Sequence, residues 1–176
     1  MTAGYLDLAF QVISGAATAD TLVALACVLS DLDHDTPAVR ELLERPTADL
    51  TPEDLHRLAD ALTAPYRSWR TAIDLVTHDM HATGATGEVT LAVPDWDPDG
   101  VRLQVDDHFS HDRVPFGGDV PTYVADAVQE AVMEASFTVW PLCPDHDLGL
   151  HAENGAWACR RGHVVARIGH LGTPSD

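Results

Sequence analysis

Lysine is absent from this 176-residue chain, so all ten of its basic residues are arginine. They stand against 28 acids, 21 of them aspartate, and the formal net charge is −18. A surface so poor in positive charge repels phosphate backbones and anionic headgroups, which excludes charge-driven binding to nucleic acid or membrane by the bulk of the chain. A GC-rich codon bias that replaces lysine with arginine explains the balance more simply than adaptation to high salt. Cysteine is scarce too. Cys27, Cys143 and Cys159 are too few for a disulfide framework and leave one over. The apolar stretch 21–30 falls short of the ~20 residues that span a bilayer, and the N-terminus lacks the basic flank of a signal peptide. A reducing, cytoplasmic setting is expected. Also missing are a Walker A loop, a G-x-G-x-x-G turn and a G-x-S-x-G elbow, so no catalytic residue can be named from a motif.

What the chain does have is 45% hydrophobic residues, enough to bury a core without covalent staples. Its charge is unevenly spread. Residues 1–80 carry 13 acids and 5 arginines, residues 81–140 carry 11 and 2, and residues 141–176 carry 4 and 3. This contrast divides the chain into an acidic body, 1–140, and a nearly neutral tail, 141–176.

The body begins helical. Leu22, Leu25, Ala26 and Leu29 recur at helical spacing after a cap at Thr18 or Asp20, and Cys27 is assigned to the same buried face. Thr36-Pro37 and Thr51-Pro52-Glu53-Asp54 each set a hydroxyl cap before proline at a first helical position. Pro65 is expected to open a further helix through Trp69, Ile73 and Val76, ending near Gly84. The period then changes to two: Val89, Leu91 and Val93, then Val101, Leu103 and Val105, predict a β-hairpin about the turn 94–100. Residues 106–119 read as loop. Asp119 then caps a long helix with one apolar face at Val124, Ala127, Val128 and Ala131, ended by Trp140-Pro141. The class is α+β: a helical N-terminal part, a hairpin, a long helix and a small β tail.

The tail carries the strongest chemical signal. Cys143 and His146 stand three apart, twelve residues intervene, and Cys159 and His163 stand four apart. Zinc takes four soft or borderline donors in a tetrahedron, and two short chelating turns joined by a hairpin supply them. Asn154-Gly155 is the hairpin signal, and Val164, Val165 and Ile168 make a strand after the second pair. Over residues 141–171 the segment resembles a zinc ribbon, with histidine where each knuckle usually has its second cysteine. The resemblance implies one zinc on Cys143, His146, Cys159 and His163. Four protein ligands close the site, so that zinc is expected to be structural.

Other patterns are weaker. His151-Ala152-Glu153 matches the His-x-Glu of cytidine deaminases, but sits after the first ligand pair rather than on a helix before it. Asp95, Asp97, Asp99 and Asp106 fit a calcium-loop skeleton, with Pro98 and Arg102 against it, and a hairpin turn is preferred. His78 and His81 with Asp74, and His108 and His111 with Asp106, Asp107 and Asp112, read as solvated surface unless folding brings them together. The favoured function is a non-enzymatic accessory or protein-interaction protein, its partner a protein and preferably a basic one. A zinc-dependent hydrolase or deaminase-like enzyme and an inhibitory polyanion mimic are the alternatives. The exclusion of nucleic acid is firm for the body and weaker for the tail, which holds Arg160-Arg161.

Overall fold

A computed structural model describes residues 4–98 and 100–172. The fold is α+β, as expected, with two three-stranded antiparallel sheets. Backbone contacts divide the chain into two compact units, 1–67 and 68–176.

The first unit is helical: α1 (Tyr5–Gln11), α2 (Ala19–Asp31), α3 (Pro37–Glu44) and the first half of α4 (Pro52–Ala82). Its helices start where hydroxyl caps stand. Thr18 Oγ1 accepts from the Thr21 N–H at 3.1 Å, and Thr36 Oγ1 from the Val39 N–H at 3.3 Å. At α4 the cap is reciprocal. Thr51 Oγ1 accepts from the Asp54 N–H, and Asp54 Oδ2 accepts from the Thr51 N–H, at 3.2 and 3.0 Å. Leu22, Leu25, Ala26 and Leu29 are buried as the periodicity requires. Cys27 is not: it is exposed, because its position lies off the stripe those four residues define.

Pro65 does not open a new helix. It lies inside the 31-residue α4. Proline supplies no N–H and crowds the carbonyl one turn earlier, so the ladder loosens there. The buried Tyr5 hydroxyl enters at that point, accepting from the Tyr66 N–H at 3.3 Å and donating to the Leu62 carbonyl at 3.4 Å. Burial pushes the Tyr5 phenol pKa up, so it stays protonated and able to donate. A distant side chain thus repairs what the local sequence breaks.

In the second unit α4 ends as the Gly84 signal requires. Gly84 has φ +78°, its N–H bonds to the His81 carbonyl, and the Ala85 N–H reaches back to Met80. Strands β1 (Val89–Ala92) and β2 (Arg102–Val105) pair with Val89 opposite Val105, which is the expected hairpin. The stretch expected to be all loop contributes a third strand, β3 (His108–Phe109), against β2. Asp106 adopts φ +51° to make the return, a conformation that aspartate tolerates and that alternation cannot reveal. Helix α5 (Val120–Ser136) starts at its Asp119 cap, as read, but ends four residues before Trp140, with Phe137 at φ +53°. It packs on β2 of the first sheet and on β4 (Leu150–Glu153) of the second, whose order is β4, β5 (Ala156–Cys159), β6 (His163–Arg167).

Candidate metal centre

The tail hairpin is built by its turns. Asn154 and Gly155 take φ +50° and +74°, the left-handed pair that a two-residue turn needs, and set Glu153 opposite Ala156 and Leu150 opposite Cys159. At the far end of this hairpin the chain makes two knuckles. In the first, the Cys143 N–H donates to the Leu148 carbonyl at 2.8 Å and the Asp147 N–H to the Cys143 carbonyl at 3.0 Å. In the second, the Gly162 N–H donates to the Cys159 carbonyl at 2.8 Å, and Gly162 at φ +88° turns the chain so that His163 pairs with Cys159. Each knuckle brings one thiol and one imidazole to the same place.

The ligand atoms of Cys143, His146, Cys159 and His163 all lie within 4.8 Å of one another. Cys143 Sγ is 3.5 Å from His146 Nδ1 and 3.7 Å from His163 Nε2, and Cys159 Sγ is 3.6 Å from His146 Nδ1. A tetrahedron with metal–sulfur bonds of about 2.3 Å and metal–nitrogen bonds of about 2.0 Å has S···N edges of about 3.5 Å. The three separations therefore match those of donors around one ion. Both cysteines are buried, His163 is half-buried and His146 is exposed. The group could hold a metal ion.

The sheet behind the knuckles is held to α4 by a carboxylate that sequence reasoning missed. Asp79 is fully buried. Its Oδ2 accepts from Trp157 Nε1 and from the Gly169 N–H, both at 2.7 Å, and its Oδ1 accepts from the Leu171 N–H at 2.8 Å. Gly169 lacks the Cβ that would come within 2.4 Å of Leu75, so the backbone can approach the helix this closely. Trp157 also meets the Trp140 ring edge-on at 5.5 Å. Gln129 of α5 donates to the carbonyls of Trp140 and Leu150, both at 2.7 Å, fixing both sides of the first knuckle. The available signal was Asp79 itself, an acid on the apolar stripe of Ala72, Ile73, Val76 and Met80. Its partners lie 78, 90 and 92 residues away in sequence, beyond the reach of any local pattern.

Among the described residues these four side chains form the one cluster of metal-ligating groups. His151 and Glu153 lie on β4, 3.5 Å apart and largely in solvent. Glu153 stands at the Asn154-Gly155 end of the hairpin, three residue pairs from Cys159, or about 10 Å at strand spacing. It is not at the cluster. His78 lies beside Asp79 at 3.7 Å, and the exposed His111 beside Glu130 at 3.8 Å; neither histidine pair is joined by further ligands. Of the calcium-loop skeleton, Asp99 lies outside the described residues. Asp97 is engaged by two guanidiniums, with Arg102 Nη2 at 2.9 Å and Arg113 Nε at 3.0 Å. Arg113 first, then Arg102, holds the Asp97 carboxyl below the usual carboxylate range despite the opposing effect of burial.

No protein-family model, curated protein or solved structure matches this chain. Among the described residues, no helix is long and apolar enough to cross a membrane.

Proposed function

We propose that residues 141–171 form a zinc-ribbon-like module around one structural zinc on Cys143, His146, Cys159 and His163. We further propose that the protein is a non-enzymatic accessory factor acting through a protein partner. One observation carries the reading: two thiols and two imidazoles stand at the separations of a tetrahedral centre. Sulfur and imidazole donors favour zinc over hard cations. Four protein donors leave no position for water, so the ion would brace the knuckles rather than activate a nucleophile. The placement of Glu153 at the opposite end of the hairpin offers no support for a deaminase-like proton shuttle. The surplus of acids in the body, 24 against 7 arginines over residues 1–140, favours a basic partner. A reducing compartment would keep the thiols available as ligands.

Elemental analysis of protein purified without a metal-affinity tag is expected to find about one zinc per chain. Cys159→Ser should release the metal and lower the midpoint of thermal unfolding by roughly 10 °C. Zinc well below one equivalent in native protein would refute the proposal. So would a Cys159→Ser variant of unchanged stability that had lost an enzymatic activity.

A further inference from the structure

The segment from the end of α5 to the first knuckle exposes a run of apolar side chains. Phe137 is 95% exposed, Val139 54% and Leu142 47%, with Met133 and Leu148 beside them in sequence at 37% each. Phe137 is held at φ +53°, an unusual conformation for an aromatic residue, with its ring in water. These positions are joined through the backbone. Leu142 pairs with Gly149, and a Cβ at Gly149 would come within 2.7 Å of Val139 Cγ1, so Val139 lies directly on the return arm of the knuckle. Val139 and Leu142 also line an open cavity of about 790 Å³, together with Val132, Ala135 and Trp140.

Two acids stand at this surface: Asp106 forms part of the cavity wall, and the exposed Glu134 precedes Phe137 by one turn. From Val114 to Cys159 the chain contains no arginine; Arg160 and Arg161 lie on the second knuckle. A second copy of a chain with net charge −18 would bring like charge against like at this rim.

We propose that the groove between the end of α5 and the first knuckle docks a basic amphipathic segment of a partner protein. Its apolar side chains would occupy the cavity and cover Phe137, while flanking arginines or lysines would meet Asp106 and Glu134. This inference rests on the interaction reading above and names the surface and the partner chemistry it lacks.

The test uses the full chain as purified, panned against a random 12-residue peptide library displayed on phage, with zinc content measured on the same sample. Enrichment of peptides with two or more apolar anchors flanked by Arg or Lys is expected. Synthetic copies should bind Phe137→Asn and Leu142→Gln about tenfold or more weakly, with zinc content and circular dichroism unchanged. Asparagine tolerates the left-handed backbone at position 137, so that variant should fold. Asp106→Asn with Glu134→Gln should weaken binding and flatten its salt dependence. Peptides that bind both apolar variants as tightly as the native chain respond to charge alone, and the groove assignment falls. No enrichment, or sedimentation showing concentration-dependent dimers that Leu142→Gln abolishes, also overturns it. Basic peptides that bind both apolar variants equally well leave the interaction reading standing while the groove assignment falls, and a zinc deficit in the same sample counts against the metal reading alone, so the failures are separable.

Discussion

Asp79 shows how much one side chain contributes to this structure. Its two oxygens take three donors from the chain around the tail sheet, and no water is needed to complete them. Removing the carboxylate would strand the Trp157 indole and the Gly169 and Leu171 amides in a dry interior, each at a cost of about 1–3 kcal/mol. Asp79→Ala is therefore expected to lose about 4 kcal/mol of stability in urea unfolding of the full chain. A loss under about 1 kcal/mol would mean that other contacts hold the sheet. The four candidate ligands were readable at this scale, because chelating pairs are short-range and their spacing is a local property. Asp79 could be seen as an anomaly on an apolar face, yet its three donors could not be named, since nothing in the neighbourhood of residue 79 encodes residues 157, 169 and 171.

At the scale of elements, starts were legible and interiors less so. Thr18, Thr36, Thr51 and Asp119 each accept an N–H from three residues on, a bond formed within a single turn and so written locally. Pro65 misled because its local effect, a missing donor, is compensated by Tyr5 from another helix. Tyr5→Phe should destabilise the protein by about 1 kcal/mol. In a Pro65→Ala background, where the helix closes its own ladder, the same change should cost less than half as much. A double-mutant cycle reads this coupling, and equal costs in both backgrounds would show that the hydroxyl acts independently of the proline. The short strand β3 escaped notice because two residues carry no period, and Asp106 makes its turn without the glycine that usually marks one.

For the whole molecule the governing quantity is charge. With a sequence isoelectric point near 4.6, acidification first relieves repulsion among the acids and later breaks the ion pairs they form. Asp54 is held well below the ordinary carboxylate range by the Thr51 N–H and hydroxyl, then by Arg45 and Arg57; Glu41 is held down chiefly by Arg57. Asp97 behaves alike between Arg113 and Arg102. A folded value below the unfolded one means that the unfolded chain binds more protons. Such a group stabilises fully above an ordinary carboxyl pKa of about 4, and its contribution is lost as pH falls through the depressed folded value. Carboxyl ¹³C NMR titration should therefore place Asp54, Glu41 and Asp97 below the ordinary carboxyl value of about 4. Midpoints at or above about 4 for these three would contradict the pairing.

The sequence by itself determined the class of fold, most helix starts, both hairpins, the negative field and the identity of the four candidate ligands. Each of these depends on residues within a turn or two of one another, or on a sum over composition. Tertiary structure alone decided that the four candidate ligand atoms come within 4.8 Å of one another, that Asp79 anchors the tail sheet to α4, that Tyr5 mends the helix at Pro65, and that Phe137, Val139 and Leu142 lie exposed between α5 and the first knuckle. Those outcomes need groups from distant parts of the chain within a few ångströms. Hydrogen bonding, packing and exposure depend on distance in space, which a linear pattern does not contain.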